Sequence, residues 1–197
     1  MTTIFEKYNA LTTVPIETRF LSQRCIFLED MITDKTAFDF MKQVLYLTSK
    51  DSKSPIEVFI NSIGGEVTAG LLIYDVIQGC RTPPINLYCT GHAYSMAAII
   101  LSSGEKGRRF ILPNSKVMIH EPLLGNSISG NSSTVRSVSD GLLETRRHLN
   151  EILSKHTGKN IKAIEKATAF DNYLTAQEAV EFGIVDSIIE FNQLMKG

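Results

Sequence analysis

Short apolar segments rich in branched side chains alternate along this chain with longer amphipathic segments. This alternation is typical of α/β domains, in which helices cover a buried sheet. The predicted strands are Cys25–Leu28, Ile56–Asn61, Ile85–Thr90, Arg109–Leu112, Val117–His120 and Ile184–Ile189. The predicted helices are Asp34–Leu47, Thr68–Gln78, Ser95–Ser103, Thr134–His156, Ile161–Ala167 and Ala176–Phe182. No repeat or low-complexity linker divides the 197 residues, so we expect one continuous domain.

Charge and hydropathy exclude several classes of function. The formal net charge of -1 offers no basic surface for nucleic acid or an anionic membrane. The longest strongly apolar segment, around Ala97–Leu101, is far shorter than the roughly 18 residues of a membrane span. Met1–Lys7 lacks the pattern of a secretory signal, so we expect a cytoplasmic protein.

The three cysteines, Cys25, Cys80 and Cys89, form no CxxC pair, and an odd number is a poor disulfide framework. We predict buried thiols in a reducing compartment and no metal site.

Two stretches interrupt the periodic pattern. In residues 1–24, the run Thr12-Thr13-Val14-Pro15 breaks any periodicity and predicts a mobile arm or loop ahead of a domain spanning 25–197. The second stretch, Glu121–Ser133, is rich in Gly, Ser and Asn. Long loops in compact domains are often functional, and this one directly follows His120.

A glycine pair, Gly64–Gly65, follows the predicted strand Ile56–Asn61. Glycine tolerates positive φ and close backbone approach, which suits N–H groups that bind an oxyanion or a peptide. An ordinary strand-to-helix turn also explains the pair. Neither GxxxxGK[ST] nor GxGxxG occurs, so no motif supports nucleotide binding.

Ser95 stands where the strand Ile85–Thr90 gives way to a helix. A hydroxyl at a helix N-terminus lies near free N–H groups and the positive end of the helix dipole, which favours a developing oxyanion. A simple N-cap serine would occupy the same position. Ala93 and Ala97 flank Ser95 where glycines would form a GxSxG elbow, which disfavours the α/β-hydrolases.

A serine nucleophile requires a base and an orienting carboxylate. His120 ends a predicted strand, and Asp171 lies in a predicted loop between two helices; each also has an ordinary structural explanation. His92, three residues before Ser95, is the rival base, whereas His148 and His156 are predicted to be surface residues of the long helix.

Taken together, these segments resemble the proteolytic subunit family of the ATP-dependent Clp proteases over roughly residues 17–190. The matching segments are Asn61–Gly70 with Ile73–Asp75, Gly91–Met96, Leu112–Pro122, Leu149–Gly158, Thr168–Asp171 and Ala176–Asp186.

The resemblance implies a crotonase-like stack of ββα units with a protruding helical handle at about residues 134–156. It implies a serine endopeptidase with the triad Ser95, His120 and Asp171 and an oxyanion hole from the N–H groups of Gly65 and Met96. A bound peptide would add as an extended strand. The residues implied to bind it are Gly64, Gly65, Glu66, Val67, Leu123, Leu124 and Gly125.

The resemblance also implies an assembly. Seven subunits would form a ring, two stacked rings would enclose a chamber, and an AAA+ ATPase would deliver unfolded chains. ATP would then be used by that partner, and this chain would need no cofactor of its own.

Several positions depart from the usual family pattern. Tyr94, predicted to narrow the pocket, and Ala97 replace smaller residues around the serine, and Glu121 replaces a Gln beside the histidine. Phe170 replaces an Arg before the aspartate, and the arm before Phe20 lacks the usual arm sequence. A weakly active or regulatory subunit of a mixed Clp ring is therefore an alternative. A crotonase-type acyl-CoA enzyme is a more distant one, since it would not need the Ser, His and Asp set.

Overall fold

The computed structural model describes residues 3–8, 10–125 and 130–194, with backbone alone for those before Val14. The strands are β1 Thr3–Tyr8, β2 Ala10–Pro15, β3 Cys25–Ile32, β4 Ile56–Gly65, β5 Ile85–Tyr94, β6 Arg109–Ile111, β7 Lys116–Ile119, β8 Asn172–Thr175 and β9 Ser187–Ile188. The helices are α1 Ile16–Ser22, α2 Asp34–Lys50, α3 Val67–Gly79, α4 Met96–Ser102, α5 Ser132–Thr157, α6 Ile161–Thr168 and α7 Ala176–Phe182, followed by a 3-10 turn at Phe191–Gln193.

The central sheet is mostly parallel. Strands β3, β4, β5, β6 and β9 pair in that order, all parallel. Strand β7 pairs parallel with β5, and β8 joins β7 as the antiparallel edge. Helices α2, α3 and α4 pack on this sheet and on each other, which gives the predicted α/β class.

Each of the twelve predicted elements has a counterpart, but β3, β4 and β5 each run four residues past the predicted end. Pairing continues to Ile32 opposite Gly65 and to Ser62 opposite Ala93. The glycines and polar residues there read locally as turns, and pairing with neighbouring strands overrides that local preference. Gly64–Gly65 is therefore the end of a strand, which corrects the predicted turn.

The first 24 residues, predicted as a mobile arm or loop, contain regular secondary structure. Strands β1 and β2 form an antiparallel hairpin, with Thr3 opposite Pro15, and α1 follows directly. Pro15 stands at the N-cap of α1, where its fixed φ and missing N–H are tolerated. Pro15, which in the sequence indicates an irregular segment, thus stands directly before a helix.

One face of the sheet carries a ladder of stacked aromatic rings. Phe27, Phe59, Tyr88 and Phe110 occupy successive strands in register, with ring centroids 5.0–5.2 Å apart. Their chain neighbours point to the opposite face, into the core. A groove of about 740 Å³ runs along the ladder and is also lined by Phe191.

An ion pair between Arg109 and Asp186 connects segments that are far apart in the chain. Arg109, the first residue of β6, donates to both carboxylate oxygens of Asp186 and to the carbonyls of Ser102, His156 and Gly183. Burial opposes ionisation of Asp186, but the hydrogen bonds and charge of Arg109 outweigh it and lower the pKa of that carboxyl. One side chain thus ties the ends of α4, α5 and α7 together.

Helix α5 has 26 residues and is about 39 Å long. Its buried residues are confined to the C-terminal part, at Leu149, Asn150, Ile152 and Leu153. Residues 132–148 are exposed or half-buried. The helix is therefore anchored at one end and extends from the body at the other, at the position of the predicted handle.

Candidate active site

Strand β5 divides between two neighbours and so brings two predicted site residues together. Its first half, Leu87–Cys89, pairs with β6, and its second half, His92–Tyr94, pairs with β7. Parallel strands end at the same edge, so Ser95 after β5 and His120 after β7 emerge side by side. The backbone N–H of Ser95 donates to the Met118 carbonyl at 2.8 Å, which locks the two strand ends in register.

Asp171 reaches the same edge from the other direction. Strand β8 runs antiparallel to β7, with Asn172 opposite Ile119, so the next pair along is Asp171 and His120. The sequence predicts a loop here, because a strand of only four residues has little pattern of its own. That short strand aligns the carboxylate with the imidazole.

The three side chains form one hydrogen-bonded line. His120 Nε2 lies 2.8 Å from Ser95 Oγ, and His120 Nδ1 lies 3.0 Å from Asp171 Oδ1. A carboxylate only accepts, so Nδ1–H donates to Asp171, and Nε2 accepts from the Ser95 hydroxyl. This geometry lets the imidazole take the hydroxyl proton while Asp171 stabilises the cation that results.

Ser95 sits on a strained turn. Ser95 is the N-cap of α4, and its φ of 55° and ψ of -124° lie in a region that residues other than glycine rarely adopt. Such a residue costs about 1–3 kcal/mol and persists where the surroundings enforce it. In this conformation Ser95 Oγ lies at the end of β5, within hydrogen-bonding distance of His120.

Gly64 packs against this turn and helps to keep Ser95 in its strained conformation. A Cβ at Gly64 would stand 2.6 Å from the Tyr94 carbonyl oxygen and 2.7 Å from Ser95 Cβ, and its φ is +90°. Only glycine lets β4 approach the serine turn this closely. The glycine pair predicted from the sequence is therefore required by close packing as well as by backbone conformation.

Gly65 and Met96 present backbone on either side of Ser95. Met96 is the first residue of α4, where N–H groups lack an intrahelical acceptor and the helix dipole is positive. Gly65 has a φ of +155° and no room for a side chain against the Ile32 backbone. Both residues line the cleft that contains Ser95, as an oxyanion hole requires.

The cleft has a volume of about 460 Å³ and extends inward from Ser95 and His120. Of the residues predicted to bind peptide, Gly64, Gly65, Val67, Leu123 and Gly125 line it.

Glu66 and Leu124 do not line the cleft. The N–H of Glu66 already donates to the Ile32 carbonyl at 2.9 Å, so it is not free to pair with a bound peptide. The remainder of the predicted loop, residues 126–129, lies outside the described part of the chain.

The sequence-based prediction missed a residue of this cleft, Asn150. It appeared only within a matched segment at the end of the helical handle. Asn150 is 3% exposed, and it lines the cleft together with Leu149 and Leu153 of the same helix. A polar residue on the otherwise apolar face of α5 was the available signal.

A sequence model of the family described as Clp protease matches residues 8–192 of the 197. The chain belongs to the Clp protease family. Clp proteases are in general serine peptidases of a crotonase-like ββα fold, and they form oligomeric rings with AAA+ partners.

Two departures from the usual Clp protease pattern have consequences that the sequence did not predict. Tyr94 does not line the cleft; its ring packs edge-on against Tyr173 at 5.6 Å and beside His92 at 4.9 Å. The expected narrowing of the pocket is therefore wrong. The Glu121 carboxylate forms an ion pair with Arg146 of α5, with Nε and Oε2 2.9 Å apart, and the backbone N–H of Glu121 donates to the Thr168 carbonyl at 2.7 Å.

The remaining histidines differ from one another. His92 lies on β5 beside Tyr94 and does not line the cleft, which disfavours the rival base. His148 is exposed as predicted, but His156 is half-buried and hydrogen-bonds Tyr74 Oη at 3.1 Å. Burial lowers the pKa of His156 to about 4, with Lys155 and Arg109 adding to the shift.

The prediction of three buried cysteines holds for one of them. Cys89 is buried, and burial raises its pKa to about 11, whereas Cys25 and Cys80 are half-buried. Within residues 3–8, 10–125 and 130–194, no three His, Cys, Asp or Glu side chains are grouped to hold a metal ion. Over the same residues, no helix is long and apolar enough to span a membrane.

Proposed function

We propose that this chain is the serine endopeptidase subunit of a self-compartmentalised protease that degrades unfolded proteins delivered by an AAA+ ATPase. The observation that carries the proposal is the unbroken line from Ser95 through His120 to Asp171, with Ser95 on a strained turn beside two backbone N–H donors. Membership of the Clp protease family supports the peptidase class.

The chemistry follows from the geometry. Ser95 Oγ attacks the peptide carbonyl carbon while its proton moves to His120 Nε2, and Gly65 and Met96 N–H groups stabilise the oxyanion. His120 then protonates the leaving amine as the C–N bond breaks. Water, deprotonated by His120, releases the acyl group from Ser95. No step requires a cofactor on this chain, and ATP is consumed by the partner.

Peptide recognition uses backbone more than side chains. A substrate extended between the Gly65–Val67 segment, at the end of β4, and the Leu123–Gly125 segment adds as a strand, so its backbone supplies the binding energy. Loose sequence selectivity suits an enzyme that receives many unfolded chains.

The subunits form heptameric rings, stacked in pairs through α5, and the protein acts in the cytoplasm.

The aromatic groove supports the existence of a protein partner. Exposed apolar surfaces of this size mark interaction sites, and Phe27 and Phe191 are 39% and 63% exposed along it.

The experiment that tests the proposal compares the wild-type protein with Ser95→Ala. The wild type should hydrolyse short peptides alone and a fluorescent unfolded protein only with an AAA+ ATPase and ATP. The Ser95→Ala variant should retain the same native mass and lose both activities. Equal hydrolysis by the two proteins would refute the assignment of Ser95.

A weakly active or regulatory subunit of a mixed Clp ring is the second candidate. It is favoured by Phe170, which is 85% exposed beside Asp171 where the family usually has an Arg. Mixing the chain with a standard subunit and measuring native mass and peptide turnover separates the two. An active homo-oligomer formed without that subunit would eliminate this candidate.

A further inference from the structure

Two tyrosine rings connect the strand that leads to Ser95 with the strand that follows Asp171. Tyr94 is the last residue of β5, directly before Ser95, and Tyr173 is the second residue of β8, which begins just after Asp171. Their ring centroids are 5.6 Å apart, and the rings meet edge-on at 89°. Neither tyrosine lines the cleft. The pair is therefore separate from the surface that receives the peptide.

The contact between the two rings spans a strand. Tyr94 stands opposite Met118 of β7, and Met118 stands opposite Tyr173. Directly paired residues share one face of a sheet, and neighbouring strands are about 4.8 Å apart, so β5 and β8 are separated by roughly 10 Å. The two rings therefore meet over β7 and connect strands that flank it on opposite sides.

The segment that carries Asp171 is exposed. The side chain of Asp171 is 57% exposed, and Phe170 and Tyr173 are 85% and 55% exposed. Strand β8 has four residues, and its opposite face contributes Leu174 to the core. The ring of Tyr173 lies nearer to Asp171 than this anchor does. A contact at Tyr173 therefore restricts the end of β8 from which Asp171 extends.

The Tyr94 side of the contact is firmly held. Ala93, the residue before it, is fully buried, and the N–H of Ser95, the residue after it, donates to the Met118 carbonyl at 2.8 Å. The His92 ring lies 4.9 Å from the Tyr94 ring. A contact with a group that is already ordered is favourable, because only the other partner then loses conformational freedom.

We propose that Tyr94 is a positioning residue that, through Tyr173, keeps the Asp171 carboxylate aligned with His120. Without the ring contact β8 shifts more freely, and the 3.0 Å hydrogen bond between Asp171 Oδ1 and His120 Nδ1 is formed less often. The imidazolium is then stabilised less in the transition state, so kcat falls while peptide binding is unchanged. This inference rests on the proposed peptidase function.

The test is a double-mutant cycle with a fluorogenic peptide, in which kcat and KM are measured for the wild type, Tyr94→Ala, Asp171→Ala and the double variant. Tyr94→Ala should lower kcat by about tenfold, the upper worth of one aromatic pair, and should change KM by less than about twofold. In the Asp171→Ala protein the same substitution should lower kcat by less than about twofold, because the carboxylate through which Tyr94 acts is already absent.

Three further variants control the result. Tyr94→Phe keeps the ring and should retain kcat within about twofold. Tyr173→Ala changes a residue that is 55% exposed, so it should fold, and it should lower kcat as Tyr94→Ala does. Tyr46→Ala removes an exposed ring from α2, away from the cleft, and should leave kcat unchanged.

The outcomes separate this inference from the function on which it rests. If Tyr94→Ala lowers kcat equally with and without Asp171, Tyr94 acts on the Ser95 turn and the proposal is wrong. A Tyr173→Ala protein with wild-type kcat also overturns the proposal, whether or not Tyr94→Ala folds. If the wild type cleaves no peptide, the peptidase function fails and this inference fails with it.

Discussion

The serine half and the carboxylate half of the candidate site are held by very different amounts of protein. Ser95 lies between buried residues of β5 and α4, with Gly64 packed against its turn and its N–H bonded to Met118. The Asp171 side chain is 57% exposed and follows Phe170, which is 85% exposed. The first half is part of the core, and the second is a surface segment aligned by one short strand.

We therefore expect substitutions in the two halves to differ in their effects on activity and on stability. A change on the serine side disturbs packing that the fold itself requires, so activity and stability should fall together. A change on the carboxylate side removes a charge that water already contacts, so activity should fall while stability remains.

The largest effect is expected from Asp171→Asn. An amide cannot stabilise the imidazolium and favours the wrong tautomer of His120, so kcat should fall by about 10⁴-fold. The melting temperature should change by no more than about 2 °C, since exposed charged groups contribute little to stability. Peptide turnover and thermal melting measure both quantities.

Asp39→Asn is the matched control for that change. Asp39 pairs with Lys35 at 2.7 Å on the surface of α2, away from the cleft, and turnover should stay at the wild-type level. If Asp171→Asn keeps a tenth of wild-type kcat, Asp171 does not orient His120. A large fall in melting temperature would make the carboxylate side part of the core and remove the contrast.

Gly64→Ala should affect both properties. The new Cβ would clash with the Tyr94 carbonyl and Ser95 Cβ at a φ of +90°. We expect kcat/KM to fall by about 100-fold, the cost of a small misplacement at a reacting centre, and the melting temperature to fall by several degrees. Gly79→Ala, where a Cβ meets nothing within 4 Å, should change neither. A Gly64→Ala protein of normal stability and activity would show that the serine turn does not depend on β4.

The sequence predicts much of the serine half, because its signals are local. Strand, turn and helix succeed one another around Ser95, and the glycine pair stands one strand away. It predicts less of the carboxylate half. Strand β8 is four residues long, and the pairing with β7 that aligns Asp171 is between residues far apart in the chain. Only the resemblance to a known family identifies Asp171.

Other errors have the same origin. His156 reads as a surface residue because Lys155 is charged, yet Tyr74 of α3 packs against it at a ring distance of 5.7 Å. Tyr94 reads as a pocket residue because it adjoins Ser95, yet strand alternation and Tyr173 place its ring elsewhere. In both cases, a contact with another element determines burial, and one sequence does not contain that contact.

The smallest effect is expected at the ion pair between Glu121 and Arg146. Their side chains are 38% and 35% exposed, so the pair should be worth less than about 1 kcal/mol. Glu121→Gln and Arg146→Ala should each change kcat/KM by no more than about threefold. A double-mutant cycle at low and high salt measures the coupling. Tenfold coupling would mean that α5 positions His120 through Glu121.

The assignment of Ser95 as the nucleophile is tested most directly by labelling with a fluorophosphonate, which reacts with an activated serine. The wild-type protein should gain one adduct per chain, located on Ser95 by peptide mapping, and Ser95→Ala should gain none. Ser137→Ala, a change at an exposed serine of α5, should label like the wild type. Equal labelling of wild type and Ser95→Ala, or an adduct on any other residue, would contradict the assignment of Ser95 as the nucleophile.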